Sequence, residues 1–160
     1  MIILGIDVGL SGALAFLDTD TCMISIEDMP TVEVERNKKM KREVSPQLVA
    51  NLVLECKPKY AFVERVNAMA GQGVSSVFSF GRSSGIIEGV LGAYSIPFTL
   101  PTPQTWQKSV DMRGGKDGSR ERAMQLFPLS SDLFKRKKDD GRSDAALIAW
   151  YGAQLMLAKR

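Results

Sequence analysis

The sequence predicts a mixed α/β domain, because short apolar runs separated by turn residues open the chain and helical patterns then alternate with further apolar runs. The opening runs are residues 2–6, 13–17 and 23–26, with Gly9, Gly12 and the stretch 18–21 between them as turns. They are expected to form an antiparallel meander. Further on, a helical pattern leads directly into the strand-like run Tyr60, Ala61, Phe62 and Val63. A helix in that place suits a crossover that lays this strand parallel to the first. At 160 residues the chain is expected to be one domain over residues 1–160, with enough length for a core and too little for two full lobes.

After the meander, residues 33–43 are polar and densely charged without apolar periodicity, and read as a loop. Ser45 is expected to cap a helix with Pro46 in its first position, and Leu48, Val49, Leu52 and Val53 form its apolar face until Lys57 and Pro58. Gly71 and Gly73 mark a loop before a helix over residues 75–91, in which Gly81, Ser84 and Gly85 offer a face for close packing. Residues 97–100 read as a fifth strand. Thr102 and Pro103 then start a short helix carrying Trp106 and Lys108, and Ser119 caps the next one after the glycine-rich basic loop 113–118. The last helix is expected from Gly141 or Arg142 to Lys159, with Asp144, Ile148, Tyr151 and Leu155 along one stripe.

Composition removes several kinds of chemistry. The chain has no histidine, and its two cysteines, Cys22 and Cys56, stand singly, which excludes a structural zinc site and the usual neutral-pH general base. Any hydrolysis must rely on carboxylates, lysine or a bound metal. No apolar run is long enough to span a bilayer and no basic leader precedes the first strand, so a cytoplasmic protein without membrane contact is expected. The net charge is only +3, but the cations cluster at Arg36, Lys38, Lys39, Lys41 and Arg42, at Arg113, Lys116, Arg120 and Arg122, and at Lys135–Lys138 with Arg142. Three such clusters point to a polyanion, with Lys38, Lys39, Lys41, Arg113, Lys116 and Arg120 as expected phosphate contacts.

Two acids end apolar strands. Asp7 closes the first and is followed by Gly9 and Gly12, while Glu64 closes the run that begins at Tyr60. For Asp7 the bland alternative is a carboxylate bonded to turn amides, and for Glu64 it is a salt bridge with Arg65. Near the C-terminus, Asp140 and Asp144 are four apart and share a helix face if both are helical. Asp144 also sits on the stripe that should face the core, where an ionised carboxylate needs a partner or a metal. Asp139 and Asp140 are both reasonable helix caps. Asp7, Glu64, Asp140 and Asp144 together make a hard oxygen-ligand set suited to magnesium or manganese.

In order and spacing, the segments Ile3-Leu4-Gly5-Ile6-Asp7-Val8-Gly9, Phe62-Val63-Glu64-Arg65-Val66, Phe80-Gly81-Arg82-Ser83-Ser84-Gly85 and Asp140 through Ala146 resemble the RuvC-like Holliday-junction resolvases. Pro103 through Lys108 and Arg122 through Pro128 look most like the bacteriophage-type members. The resemblance covers nearly the whole chain and implies a ribonuclease H-like fold, a mixed five-stranded sheet flanked by helices. It also implies a homodimer, and two Mg2+ or Mn2+ ions per active site held by Asp7, Glu64, Asp140 and Asp144. The implied activity is hydrolysis of phosphodiesters in branched DNA.

The sequence departs from that family in three places. Many members carry a ligand three residues before the last aspartate, where this chain has Gly141, so the role passes to Asp140, with Asp139 as a rival. The family's active-site lysine matches Lys108, which is expected to stabilise charge at the scissile phosphate. The family's junction-centre aromatic has no counterpart at Asn67–Ala70, where Met69 is an apolar wedge or a core filler. Competing functions are a relaxed nuclease of flaps, forks or RNA–DNA hybrids, and a non-catalytic branched-DNA-binding protein. A nucleotide-binding module of the actin and sugar-kinase type also opens on a strand, an Asp and glycines, but needs a second lobe.

Overall fold

The computed structural model describes residues 1–36, 38–65, 67, 71–113 and 117–158. Its strands are β1 (Ile2–Asp7), β2 (Ala13–Asp18), β3 (Ile24–Asp28), β4 (Thr31–Arg36), β5 (Lys39–Val44), β6 (Tyr60–Val63) and β7 (Phe98–Thr99). The helices are α1 (Pro46–Cys56), α2 (Val74–Ala93), α3 (Pro103–Ser109), α4 (Gly118–Leu126) and α5 (Asp140–Leu157), with short 3-10 turns at Pro128–Phe134 and Lys137–Asp139. Among the described residues no helix is long and apolar enough to cross a membrane.

The five-stranded sheet has the order β3-β2-β1-β6-β7. The meander pairs antiparallel, and the crossover through α1 lays β6 parallel to β1, with Ile6 opposite Val63. Side chains alternate across a strand, and here both faces are covered. Leu4, Ile6, Leu14, Phe16, Ala61 and Val63 pack on Val49 and Val53 of α1 and on Ile87 and Leu91 of α2. From the other face, Ile3, Ala13, Ala15, Leu17 and Phe62 meet Trp106 and the Ala145–Ala149 segment of α5. Burial on both sides is why these runs are apolar throughout rather than alternating.

Several helix ends follow from local chemistry. Ser45 caps α1 by accepting from Leu48 N at 3.3 Å, Pro46 occupies the first turn, and Lys57 ends the helix in the left-handed region (φ 48°). Thr102 caps α3 in the same way, accepting from Thr105 N. Ser119 does not cap α4. Asp117 holds the cap position without a side-chain bond, and Ser119 lies inside the first turn. α5 begins at Asp140, one turn residue earlier than expected, and the fifth strand contracts to Phe98–Thr99.

The region expected to be a loop is instead a β4–β5 hairpin, paired from Thr31↔Val44 to Arg36↔Lys39. Its register sets Glu33 across from Arg42, while Arg36, opposite Lys39, reaches diagonally to Glu43, and the turn residue Lys38 takes φ 60°. Alternating Val32 and Val34 with cross-strand charge pairs stabilise a ribbon that has little apolar surface to bury.

α5 lies backbone-close to the sheet. A Cβ added at Gly5 would fall inside contact distance of Ala145 O and Ala149 N, and one at Gly152 inside the ring of Phe62. Both obstacles at Gly5 are backbone atoms, so they cannot turn aside. Gly5→Ala is therefore expected to lower unfolding free energy by about 1–3 kcal/mol in urea titration. A loss under about 0.5 kcal/mol would mean that α5 shifts freely on β1.

Candidate active site in a basic groove

The ends of β1 and β6 bring two acids to the same edge of the sheet. Asp7 is the last residue of β1, and Glu64 follows β6 with its amide donating to Ile6 O at 3.0 Å. α5 delivers Asp144 and Asp140 across that edge. Gly141 makes this approach possible: a Cβ there would collide with Ser11 O and Gly12 Cα and would sit 3.1 Å from Asp7 Oδ2. Gly12 has no such room either, because its Cβ would meet Asp7 O. The turn after β1 and the first turn of α5 are thus packed main chain to main chain, with the carboxylates at the seam.

Each acid has its own support. Trp106, fully buried in α3, donates from Nε1 to Glu64 Oε1 at 3.1 Å. Ser119 hydrogen-bonds the carboxylate of Asp144. Arg120 Nε lies 3.0 Å from Asp140 Oδ1, but off the line of a hydrogen bond, so that this buried oxygen has no hydrogen-bond partner among the described residues.

The electrostatics follow from burial and, second to it, from crowding like charges. Burial first, and then the negative charges of Asp144 and Glu64, hold the Asp7 carboxyl well above the ordinary carboxylate range. Asp144 is pushed up to about 7, mainly by burial and further by Glu64 and Asp140, against the opposing bond from Ser119. Burial also raises Glu64, against the Trp106 bond. These acids lack compensating positive charge. Hard oxygen donors, the Asp140 carboxylate on the groove and unmatched negative charge at Asp7, Glu64 and Asp144 fit a divalent cation of the magnesium or manganese type. Among the described residues, no three Asp, Glu, His or Cys side chains form a cluster able to hold a metal ion as they stand. The fit is therefore one of charge and donor chemistry rather than of a formed cage.

Asp7, Asp140 and Asp144 line a groove of about 1200 Å³ between the hairpin and α2. Its positive lining comes from Arg36, Lys41 and Arg42 of the hairpin, Arg82 of α2, and Lys137 and Lys138. Arg42 also ties the hairpin to the turn after β1, donating from Nη2 to Leu10 O at 2.5 Å. Of the expected phosphate contacts, Lys41 lines the groove, and Lys38 and Lys39 are exposed at the hairpin tip. Arg113 is exposed and paired with Asp111 at 2.9 Å. Arg120 is turned inward instead: its side chain is 12% exposed and bonded to Asp117 and to Lys135 O, beside Asp140. Lys108 is exposed and absent from the groove lining. It is two residues from Trp106, and helical rotation carries it to the side of α3 away from Glu64. Met69 and Lys116 lie outside the described residues.

The adjacent aspartates part company. Asp139, with its side chain 2% exposed, accepts from Arg136 N at 2.8 Å and from the Arg136 guanidinium at 2.9–3.2 Å. Asp140 opens to the groove with 48% of its side chain exposed. The four-residue spacing to Asp144 favours Asp140 over Asp139 in the sequence, and it is Asp140 that lines the groove. Ser119 reads only as a cap; Arg36 and Arg42 read as part of a basic cluster for a polyanion, but nothing in the sequence places Arg82 across from them. Trp106 carried a signal, since a buried indole N–H requires an acceptor.

No family model matches the chain. It is 30% identical over 92 residues to the chloroplastic Holliday junction resolvase MOC1 of Chlamydomonas reinhardtii, a stretch that is 56% of this chain and 10% of that protein. The chain thus spans about a tenth of the length of that relative. Among solved structures it is similar to T. thermophilus RuvC in complex with Holliday junction substrate, with a TM-score of 0.62 and 14% identity over 99% of this chain and 96% of that one. Another Thermus thermophilus RuvC structure gives 0.57 and 14% over 98% and 97%. The yeast mitochondrial Holliday junction resolvase Ydc2 gives 0.53 and 17% over 98% and 82%. The chain has the ribonuclease H-like fold of RuvC.

Asp139 is expected to be the stability residue of the aspartate pair. Burial would raise its carboxyl, but the side-chain and backbone bonds to Arg136, aided by Arg142, hold it below the ordinary carboxylate range. The stabilisation is present above the unfolded value and is lost as pH falls through the lower folded value. Asp139→Asn should cost about 1.5–3 kcal/mol at neutral pH, and Asp140→Asn at most about 1 kcal/mol, in urea unfolding. The Asp139→Asn deficit should shrink below about pH 4. Equal losses for both variants would overturn the distinction.

Proposed function

We propose that this chain is a divalent-metal-dependent endonuclease that cuts four-way DNA junctions and other branched DNA by phosphodiester hydrolysis. The observation that supports it most directly is the gathering of Asp7, Glu64 and Asp144 from β1, the end of β6 and α5 at one edge of the sheet, beside a groove lined with arginine and lysine. The likeness to resolvases, one of them in complex with a Holliday junction, supports the choice of substrate.

In this reading Asp7, Glu64, Asp140 and Asp144 would hold two Mg2+ or Mn2+ ions. Bound there, the ions supply an activated water and stabilisation of the leaving oxygen, so that no histidine base is needed. The chain's own residues do the rest. Trp106 fixes the Glu64 carboxylate, Ser119 fixes that of Asp144, and Arg120 sits beside Asp140 and tempers its charge. Lys41, Arg42, Lys137 and Lys138 offer cations to the DNA backbone along the groove, and such contacts position a strand without reading its bases. Structural selectivity broad enough to include flaps and forks is consistent with that lining.

Two nicks in opposing strands call for two sites, and we assign the two-fold contact of a homodimer to α2. Gly81, Gly85 and Gly89 of that helix have open space where a Cβ would stand, and Val74 and Phe78 are exposed at 87% and 72%. A bacteriophage-type member acting in the cytoplasm of its host is the finer form of the reading, carried by the Pro103–Lys108 and Arg122–Pro128 segments.

Asp7→Asn, Glu64→Gln and Asp144→Asn are each expected to reduce Mg2+-dependent cleavage of a labelled four-way junction at least about 100-fold. Junction binding in gel shift should persist, since each change also removes negative charge facing phosphate. Full cleavage by any folded member of this set would remove that residue from the active site.

A further inference from the structure

The groove contains an acid that the hydrolytic site does not use. Glu43, next to last in β5, accepts from Arg36 Nε at 2.7 Å and Nη2 at 3.3 Å, and its Oε2 also pairs with Arg82 Nη1 of α2 at 2.7 Å. The carboxylate is tucked in at 17% exposure, while the two arginine side chains are exposed at 49% and 41%. All three line the groove that holds Asp7, Asp140 and Asp144. A brace between hairpin and helix needs only the Glu43–Arg82 pair. The second guanidinium leaves a surplus positive charge at this spot.

Donor counting points the same way. A guanidinium carries five N–H donors; Arg36 meets Glu43 through Nε and Nη2, and Arg82 through Nη1. In these contacts Arg36 leaves its Nη1 unspent and Arg82 its Nε and Nη2, on side chains that reach solvent in the groove. The hairpin register makes the arrangement: Arg36↔Lys39 and Val32↔Glu43 are direct pairs, so Arg36 and Glu43 share one face of the ribbon. A carboxylate that fixes two arginines in advance spares the cost of ordering them when a ligand arrives.

We propose that Arg36 and Arg82, aligned by Glu43 as a positioning residue, form a phosphate clamp that grips a DNA backbone beside the carboxylates. The clamp rests on the nuclease reading and deepens it by naming where the substrate strand is held. Planar guanidinium forks suit phosphate oxygens, and two of them from opposite walls of a groove would hold a strand in a set direction toward the acids.

The test measures binding of a labelled four-way junction by fluorescence anisotropy across a salt series, in chelator and in an Asp7→Asn background so that no strand is cut. Arg36→Gln and Arg82→Gln are each expected to reduce the slope of log affinity against log salt by about one and to weaken binding on the order of tenfold. Arg82→Lys, which keeps the charge and the Glu43 pair, should retain the slope. Lys59→Gln, at the opposite end of β6, should change neither quantity. Wild-type-like slopes and affinities in both glutamine variants would reduce the network to a structural brace and overturn the clamp alone. A parent protein that binds neither junction nor duplex would overturn the nuclease reading and the clamp with it.

Discussion

Close approach of the α5 main chain to β1 underlies the arrangement of the site. Gly5 admits Ala145 and Ala149 to within backbone contact of the strand, and Gly141 admits the first turn of α5 to Ser11 and Asp7. With both contacts made, the helix has no freedom to slide or rotate, and Asp144 is committed to the edge where β1 ends. The small residues that run through α5, from Ala145 to Ala153, are buried with almost no exposure. They let the backbone of α5 approach the sheet closely while Leu147, Ile148 and Tyr151 of the same helix fill the core around them, which allows a helix to hold a carboxylate in a set position.

That position is electrostatically costly. Burial raises the proton affinity of all three carboxylates at this sheet edge, and neighbouring negative charge raises it further at Asp7 and Asp144. Single bonds from Trp106 and Ser119 orient Glu64 and Asp144 but supply no charge. The positive residues stand around the groove instead of among the acids, apart from Arg120 against Asp140. This separation leaves a centre of negative charge whose approaches attract an anion.

The hairpin extends the same logic away from the sheet. It buries little apolar surface, and its order comes from paired backbone, ion pairs and two attachments: Arg42 to Leu10 O in the turn after β1, and Glu43 to Arg82 on α2. Those attachments convert a charged ribbon into one wall of the groove. Arg142 serves a comparable purpose on the other side of α5, with a bidentate pair to Asp28 at the end of β3.

Sequence alone determined the meander, the α1 crossover and most helix caps, and it singled out the acids Asp7, Glu64, Asp140 and Asp144 together, because each depends on neighbours close along the chain. An acid that ends an apolar strand, or breaks an apolar helical stripe, is a local pattern. The tertiary structure decided that Asp139 is buried against Arg136 while Asp140 faces the groove, that Arg120 turns inward, that Lys108 stays outside, and that residues 31–36 pair with 39–44 as strands. Each of these depends on contacts between distant segments: Gly141 against Ser11, Arg120 against Asp140, α3 anchored by Trp106 on Glu64, and Arg42 and Glu43 reaching to other elements. A helix rotation of one residue turns a side chain by about 100°, and only long-range packing selects the angle.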